Sequence, residues 1–278
     1  MISKLLFWNI RSVNSQNAFE RLLDLNRKNH CSYIALLEPF QSPTETESYR
    51  RRLGKQHARA NCSAKIWIFW DEDWEEQHTV DSAQQLTISF KHKGNQNVVK
   101  ITAVYARCSD LERLELWEDL EDIANNTICP WIVGGDFNII MHESEKLGGL
   151  PVTQNETTDF IQCINTCAQN ELKFIGSCYT WWNGRIEDCI FKRLDRVFGN
   201  NEFKNTLQHK DFVKVVGESW KKEAQGSPFF IVQQKLKRLK GVLVQWSKST
   251  IGNIFQQVAT LEDVIKAKEA QLEINPTT

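Results

Sequence analysis

The chain has 278 residues, of which 41% are hydrophobic and 25% charged, with a formal net charge of -1. That length suits one large domain or two small ones, and the mean hydropathy of -0.44 excludes collagen-like, low-complexity and wholly disordered chains. No apolar run approaches the roughly 20 residues of a membrane span, the start Met1–Asn9 is too short and too aromatic for a signal peptide, and the near-neutral charge argues against coating nucleic acid by bulk electrostatics.

The elements follow in chain order. Lys4–Ile10 reads as a buried strand, and a helix carrying Phe19, Leu22, Leu23 and Leu25 follows an Asn14 or Ser15 cap. Tyr33–Leu37 is a second apolar strand that stops at Glu38-Pro39, so the opening is strand, helix, strand, the grammar of a layered α/β protein. Gln41–Ala64 reads as polar loop with some helix. Ile66–Trp70, Leu86–His92 and Val98–Tyr105 are expected strands, the last two joined by a hairpin at Lys93-Gly94-Asn95. Ser109–Glu112 has the pattern of a capping box, ahead of a helix striped by Leu111, Leu114, Trp117, Leu120 and Ile123. Pro130–Val133 is a further buried strand ending in Gly134-Gly135-Asp136-Phe137-Asn138. A loop with Gly148-Gly149 leads to a helix over about Glu156–Gln169, then short strands around Tyr179–Trp182 and Ile190–Phe198. Beyond Pro228 a long helical pattern begins. Leu236, Leu239, Val242 or Leu243, and Trp246 mark one face, Lys235, Lys237, Arg238 and Lys240 the solvated side, and a break is expected at Gly252.

Eight cysteines are scattered without a C-x-x-C pair, which in a reducing compartment reads as free buried thiols. Cys163 and Cys167 share a helix face, but no histidine or second pair has zinc-ligand spacing nearby.

Three buried-looking strands end in oxygen-bearing side chains: Asn9, Glu38 and Asp136. Strand ends are where α/β folds present catalytic groups, and carboxylates with amides converging there suit a hard cation such as Mg²⁺. Gly134-Gly135 permits close backbone approach beside Asp136.

With Trp8-Asn9, Glu38, Tyr105 and Arg193-Leu194-Asp195-Arg196, the run Gly134–Asn138 resembles the endonuclease/exonuclease/phosphatase superfamily. Phe7–Arg11, Lys146–Gly149, Tyr179–Gly184 and Phe191–Val197 narrow the resemblance to the endonuclease region of plant non-LTR (LINE-type) retrotransposon polyproteins. It implies an α/β fold of the DNase I-like kind, a four-layer sandwich of two packed sheets flanked by helices, over residues 1–205. It implies a linker-like α-helical extension over 206–278, with the reverse transcriptase domain absent from this chain. The implied activity is Mg²⁺- or Mn²⁺-dependent nicking of DNA, without a nucleotide cofactor or a membrane, inside the cell and, by family, in the nucleus.

The roles implied are metal ligation by Glu38, orientation of phosphate or water by Asn9, and positioning or deprotonation of the attacking water by Asp136. Asn138 would hold the phosphate and Tyr105 would donate to the transition state or leaving oxygen. Thr180, Trp181 and Arg193 would lie against the DNA strand. The family's closing Ser-Asp-His segment, whose Asp assists the metal and whose His pairs with the residue matched by Asp195, does not occur in this sequence. His209, the one histidine beyond Asp195, reads as linker. The expectation is therefore a domain without its last strands, lost between Asn205 and His209. The alternative function is an inactive remnant that binds DNA or protein as a scaffold.

Overall fold

The computed structural model describes residues 4–94, 96–151, 154–207, 210–226 and 228–250. Its elements are β1 (Lys4–Asn9), α1 (Gln16–Asn29), β2 (Cys31–Leu37), α2 (Thr46–Leu53), β3 (His57–Ala60), β4 (Ile66–Trp70) and β5 (Trp74–Asp81). Then come β6 (Gln85–His92), β7 (Val98–Tyr105), α3 (Asp110–Asn125), β8 (Trp131–Asp136), β9 (Lys146–Leu147), α4 (Gln154–Thr166) and β10 (Asn170–Glu171). The chain closes with β11 (Trp181–Trp182), β12 (Phe191–Lys192), β13 (Asp195–Gly199), α5 (Asn201–Leu207), α6 (Lys210–Lys221) and α7 (Pro228–Thr250). It divides into two compact units, residues 1–173 with 177–206, and residues 174–176 with 207–278.

The first unit is built from two mixed sheets, ordered β1-β2-β4-β3 and β10-β13-β8-β7-β6-β5, with a small sheet β11-β12-β9 beside them. The apolar runs of β2 and β4 have no polar alternation because both their faces are covered. Tyr33, Ala35 and Leu37 of β2 and Ile66, Ile68 and Trp70 of β4 meet Leu86, Ile88, Ile101 and Ile132 of the second sheet in the inter-sheet core. The intervening Ile34, Leu36, Trp67 and Phe69 pack with Phe19 and Leu22 of α1 and Tyr49 and Leu53 of α2. On the outer face of the second sheet, Val104, Trp131, Val133 and Phe198 pack with Leu116 and Trp117 of α3 and Phe160 and Cys163 of α4. The layers are thus helices, sheet, sheet, helices, the DNase I-like arrangement that the motifs led us to expect.

Several local expectations are corrected. β3 and β5 are edge strands whose sequences, His-Ala-Arg-Ala and Trp-Glu-Glu-Gln-His-Thr-Val-Asp, are too polar to announce themselves. α2 is a full helix within the stretch read as loop. Ser109 is the N-cap of α3, but its side chain makes no capping hydrogen bond, so no capping box forms. The buried stripe of α3 is Arg113, Leu116, Trp117, Leu120 and Ile123, while Leu111 is 76% exposed. Ile190–Phe198 is two strands in different sheets. Of the cysteines, Cys31, Cys163 and Cys167 are buried, whereas Cys62 and Cys108 are exposed.

In the second unit α6 packs on α7, with Lys235 Nζ 5.7 Å from the Trp220 ring centroid and the Arg238 guanidinium donating to the Glu223 carbonyl at 3.3 Å. On α7, Leu236 is exposed, off the stripe expected of it. Asn95, His209 and the expected break at Gly252 lie outside the described residues. Among the described residues no helix is long and apolar enough to cross a membrane.

Gly134 sets how closely the sheets approach. A Cβ built there would lie 2.9 Å from the Phe7 ring of β1, closer than real contacts allow. Gly134→Ala is expected to destabilise the first unit by about 1–3 kcal/mol, read as a lower urea midpoint; an unchanged midpoint would show that the sheets do not seat at this glycine.

Candidate active site

Both sheets deliver side chains to the same end of the sandwich. On the second sheet, Tyr105 closes β7 and is the register partner of Asp136, which closes β8. Asp136 is in turn the partner of Asp195, which opens β13. On the first sheet, Asn9 closes β1 opposite Leu37, and Glu38 follows at the end of β2 with φ 51°. That left-handed turn, anchored by the Glu38 N–H donating to the Lys65 carbonyl at 2.9 Å, ends the strand at the carboxylate.

Two hydrogen bonds tie the sheets here. Asn9 Nδ2 donates to Asp136 Oδ2 at 2.9 Å, and the Tyr105 hydroxyl donates to Glu38 Oε1 at 2.5 Å. Asp136 Oδ1 accepts the Asn138 backbone N–H at 2.9 Å. The Asn138 side chain is partly committed to the scaffold, since its Nδ2 donates to the Ala106 carbonyl at 2.7 Å.

The site is electrostatically crowded. Asp136 is 5% exposed. Burial pushes its carboxyl upward and the Glu38 charge adds to this, against the Asn9 and Asn138 hydrogen bonds and the Arg11 charge. Asp195 is pushed up to about 6 by burial and then by the Asp136 charge, opposed by the Thr180 hydroxyl and Arg11. Tyr105 is raised by burial, then by its bond to Glu38, so it stays a hydrogen-bond donor at neutral pH. Arg11 is the cation that sequence reasoning missed. It lies two residues past Asn9 in the quoted Phe7–Arg11 motif, and only the fold shows which charges it faces.

This donor set fits a hard divalent ion. Asn9 Oδ1 is buried without a hydrogen-bond partner, an orphaned oxygen on the amide whose Nδ2 holds Asp136. Among the described residues no group of three His, Cys, Asp or Glu side chains forms a metal cage. The fitting set is a mixed amide and carboxylate one, of the kind Mg²⁺ accepts while keeping waters and substrate phosphate.

The residues expected at DNA fare differently. Arg193 is corrected: it is 7% exposed and its guanidinium donates to Glu171 at 2.5 Å, so it is spent inside the fold. Arg196, also buried, bridges Glu171 and Glu145. These pairs hold β13 and its neighbours, a job that Arg193-Leu194-Asp195-Arg196 does not disclose because Glu145 and Glu171 are remote in sequence. Thr180 is exposed, but its Oγ1 accepts the Leu194 and Asp195 N–H groups at 3.0 Å each, which makes it a positioning residue for Asp195. Trp181 is half-buried, with Lys192 Nζ 5.8 Å from its ring centroid, while Trp182, stacked on Phe191, is the more exposed at 46%.

The Asp195 shift has a stability consequence. Its folded pKa, about 6, lies above the ordinary 3.8, so the folded state holds the proton longer, and this group's contribution falls as pH rises from about 4 through 6. Asp195→Asn is therefore expected to stabilise the metal-free protein at pH 7 by about 1–2 kcal/mol and to flatten that part of the stability-against-pH curve. Equal denaturation midpoints for the two proteins at pH 7 would contradict the burial of this charge.

The model of the Endonuclease/Exonuclease/phosphatase family matches residues 6–211. No curated protein matches the chain. The endonuclease domain of TRAS1, a telomere-specific non-LTR retrotransposon, is similar in fold with a TM-score of 0.55 at 12% identity, over 73% of this chain and 87% of that one. The 3' phosphatase NExo from Neisseria, bound to product DNA hairpin, gives 0.55 at 15% identity over 71% and 85%. A β toxin from Staphylococcus aureus, in a β-hairpin deletion mutant, gives 0.51 at 12% identity over 74% and 89%. With the family model spanning most of its length and the strand-end side chains gathered at one end of a two-sheet sandwich, the chain belongs to the endonuclease/exonuclease/phosphatase family.

Proposed function

We propose that this protein is a retrotransposon-derived, Mg²⁺-dependent DNA endonuclease, its nuclease in residues 1–205 and a linker-like helical extension in 206–278. The observation that carries the reading is the buried, partnerless Asn9 Oδ1, on the amide bonded to Asp136, whose carboxyl in turn feels the Glu38 charge and acts on Asp195. An amide oxygen in that setting costs free energy until a cation or its water arrives.

Glu38 and Asn9 would hold the ion, with Asp195 beside them, and the ion would supply charge neutralisation on the phosphodiester. Asp136 has its carboxylate fixed by Asn9 and by the Asn138 N–H, and burial makes it a stronger base than an exposed aspartate. It orients the attacking water and takes its proton. Tyr105 keeps its proton and donates to the developing charge on phosphate or leaving oxygen. Asn138 retains an amide N–H for a phosphate oxygen. Trp181 and Trp182 would contact the DNA strand, while Thr180 keeps Asp195 in place. The mechanism relies on positioning and charge more than on covalent help.

A second reading rests on the histidines. The five described histidines have places of their own: His30 caps α1, His57 stacks on Trp70, His78 is in β5, His92 packs on Trp74, and His142 caps the 143–145 turn. Without a histidine at the phosphate the chain would act as a scaffold that binds DNA or protein and hydrolyses nothing.

Supercoiled-plasmid nicking separates the two. The expected result is relaxation that requires Mg²⁺, stops with EDTA and falls by at least about 100-fold in Asp136→Ala. Nicking that survives that substitution would contradict the site, and intact plasmid with folded protein would favour the scaffold.

A further inference from the structure

The Glu38 charge acts on Asp136 and the Asp136 charge on Asp195, so three carboxylates share one field where the proposed substrate, itself an anion, must arrive. A divalent ion offsets two of those charges at most. The phosphodiester therefore meets a residual negative field unless a further cation stands at the mouth of the site.

Other cations of these segments are engaged. Arg193 and Arg196 are buried against Glu171 and Glu145. Lys65, whose carbonyl holds the Glu38 N–H, has its Nζ 4.6 Å from the Phe40 ring centroid. Arg11 differs: it is exposed, and among the described residues its side chain forms no hydrogen bond or ion pair. Its charge nonetheless opposes the upward shifts of both Asp136 and Asp195, so it stands within electrostatic reach of both while bonded to neither.

The backbone fixes Arg11 at this place. The Ile10 N–H donates to the Leu37 carbonyl at 3.1 Å, the Ser12 N–H to the Glu38 carbonyl at 2.9 Å, and the Val13 N–H to the Pro39 carbonyl at 3.0 Å. These bonds lay residues 10–13 along the turn that carries Glu38. Ile10 and Val13 are buried in the helix-side core, and Arg11 between them is turned out. Arg11 and Ser12 have φ of 47° and 100°, left-handed values that cost an L residue about 1–3 kcal/mol. Glycine would take this turn freely. An arginine held there, two residues past the Asn9 amide that bonds Asp136, points to work for the side chain.

We propose that Arg11 is a catalytic residue that binds a non-bridging oxygen of the scissile phosphate and offsets the charge that builds there as water attacks. The assignment rests on the nuclease reading above and deepens it. A guanidinium keeps its proton at any working pH, so Arg11 gives charge and hydrogen bonds and moves no proton; the proton of the attacking water goes to Asp136. A cation at the phosphate then needs no histidine, which removes the ground for the scaffold reading.

Arg11→Gln, Arg11→Lys and, as a control on the outer helix α1, Arg21→Gln test this in the full chain. Plasmid nicking by Arg11→Gln is expected to lose about 100-fold in kcat, with KM raised no more than about fivefold. Arg11→Lys recovers part of the loss, and Arg21→Gln matches the unsubstituted protein. Urea midpoint and Mn²⁺ binding stay unchanged in Arg11→Gln, which a merely structural role would not allow. A normal kcat in Arg11→Gln, a loss confined to KM, or a lost Mn²⁺ site would each overturn the proposal. Binding of a fluorescent DNA duplex with Ca²⁺, read by anisotropy, separates its failure from that of the nuclease reading. There Arg11→Gln is expected to bind about fivefold more weakly, with a salt slope smaller by about one. If the unsubstituted protein nicks nothing, the nuclease reading fails, and equal duplex affinity and salt slope in Arg11→Gln would overturn the phosphate contact as well.

Discussion

Asn9 and Asp136 stand on different sheets, and the 2.9 Å hydrogen bond between them can form only if those sheets pack at one separation and one register. Gly134 permits the separation, and the parallel β7–β8 and antiparallel β8–β13 ladders fix the register. Everything at the site inherits its placement from this crossing. Asp136 is anchored through it, Glu38 is brought to Tyr105 beside it, and Asp195 is set against Asp136 by the next ladder.

The same crossing concentrates negative charge. Burial raises both Asp136 and Asp195, the Glu38 charge adding to the first and the Asp136 charge to the second, and Arg11 is the cation acting on both. A fold selected for stability alone would replace one carboxylate with an amide. Keeping both, with an amide oxygen left without a donor, is what the proposed cation and phosphate would use, since the protein need not rearrange its charges to meet theirs. Thr180 and the Arg193, Arg196, Glu145 and Glu171 pairs act at a distance from this chemistry by holding β13 still.

What could be read from the sequence follows from how each element is buried. β2, β4, β7 and β8 are covered on both faces or nearly so, and their apolar runs announce them. β3 and β5 are edges with polar sequences, and β9 through β12 are two-residue pairings fixed by tertiary contacts, so no periodicity exists to find. At the site, Asn9, Glu38 and Asp136 were legible as polar residues closing buried strands. Tyr105, Asn138 and Asp195 came from the family resemblance. Arg193 was misplaced at DNA because a buried arginine and a phosphate-binding one look alike until Glu171, 22 positions earlier, is seen beside it. Arg11 went unremarked for the converse reason, since its partners are charges on other strands.

The central claim is that the two sheets assemble a mixed amide and carboxylate site for one hard divalent ion. Mn²⁺ binding followed by electron paramagnetic resonance measures that directly, without depending on turnover. The account predicts a single site in the folded chain, displaced by Mg²⁺ and weakened by at least about tenfold in Glu38→Gln. Folded protein that binds no Mn²⁺ at millimolar concentration, or binds it equally well in Glu38→Gln, would contradict it.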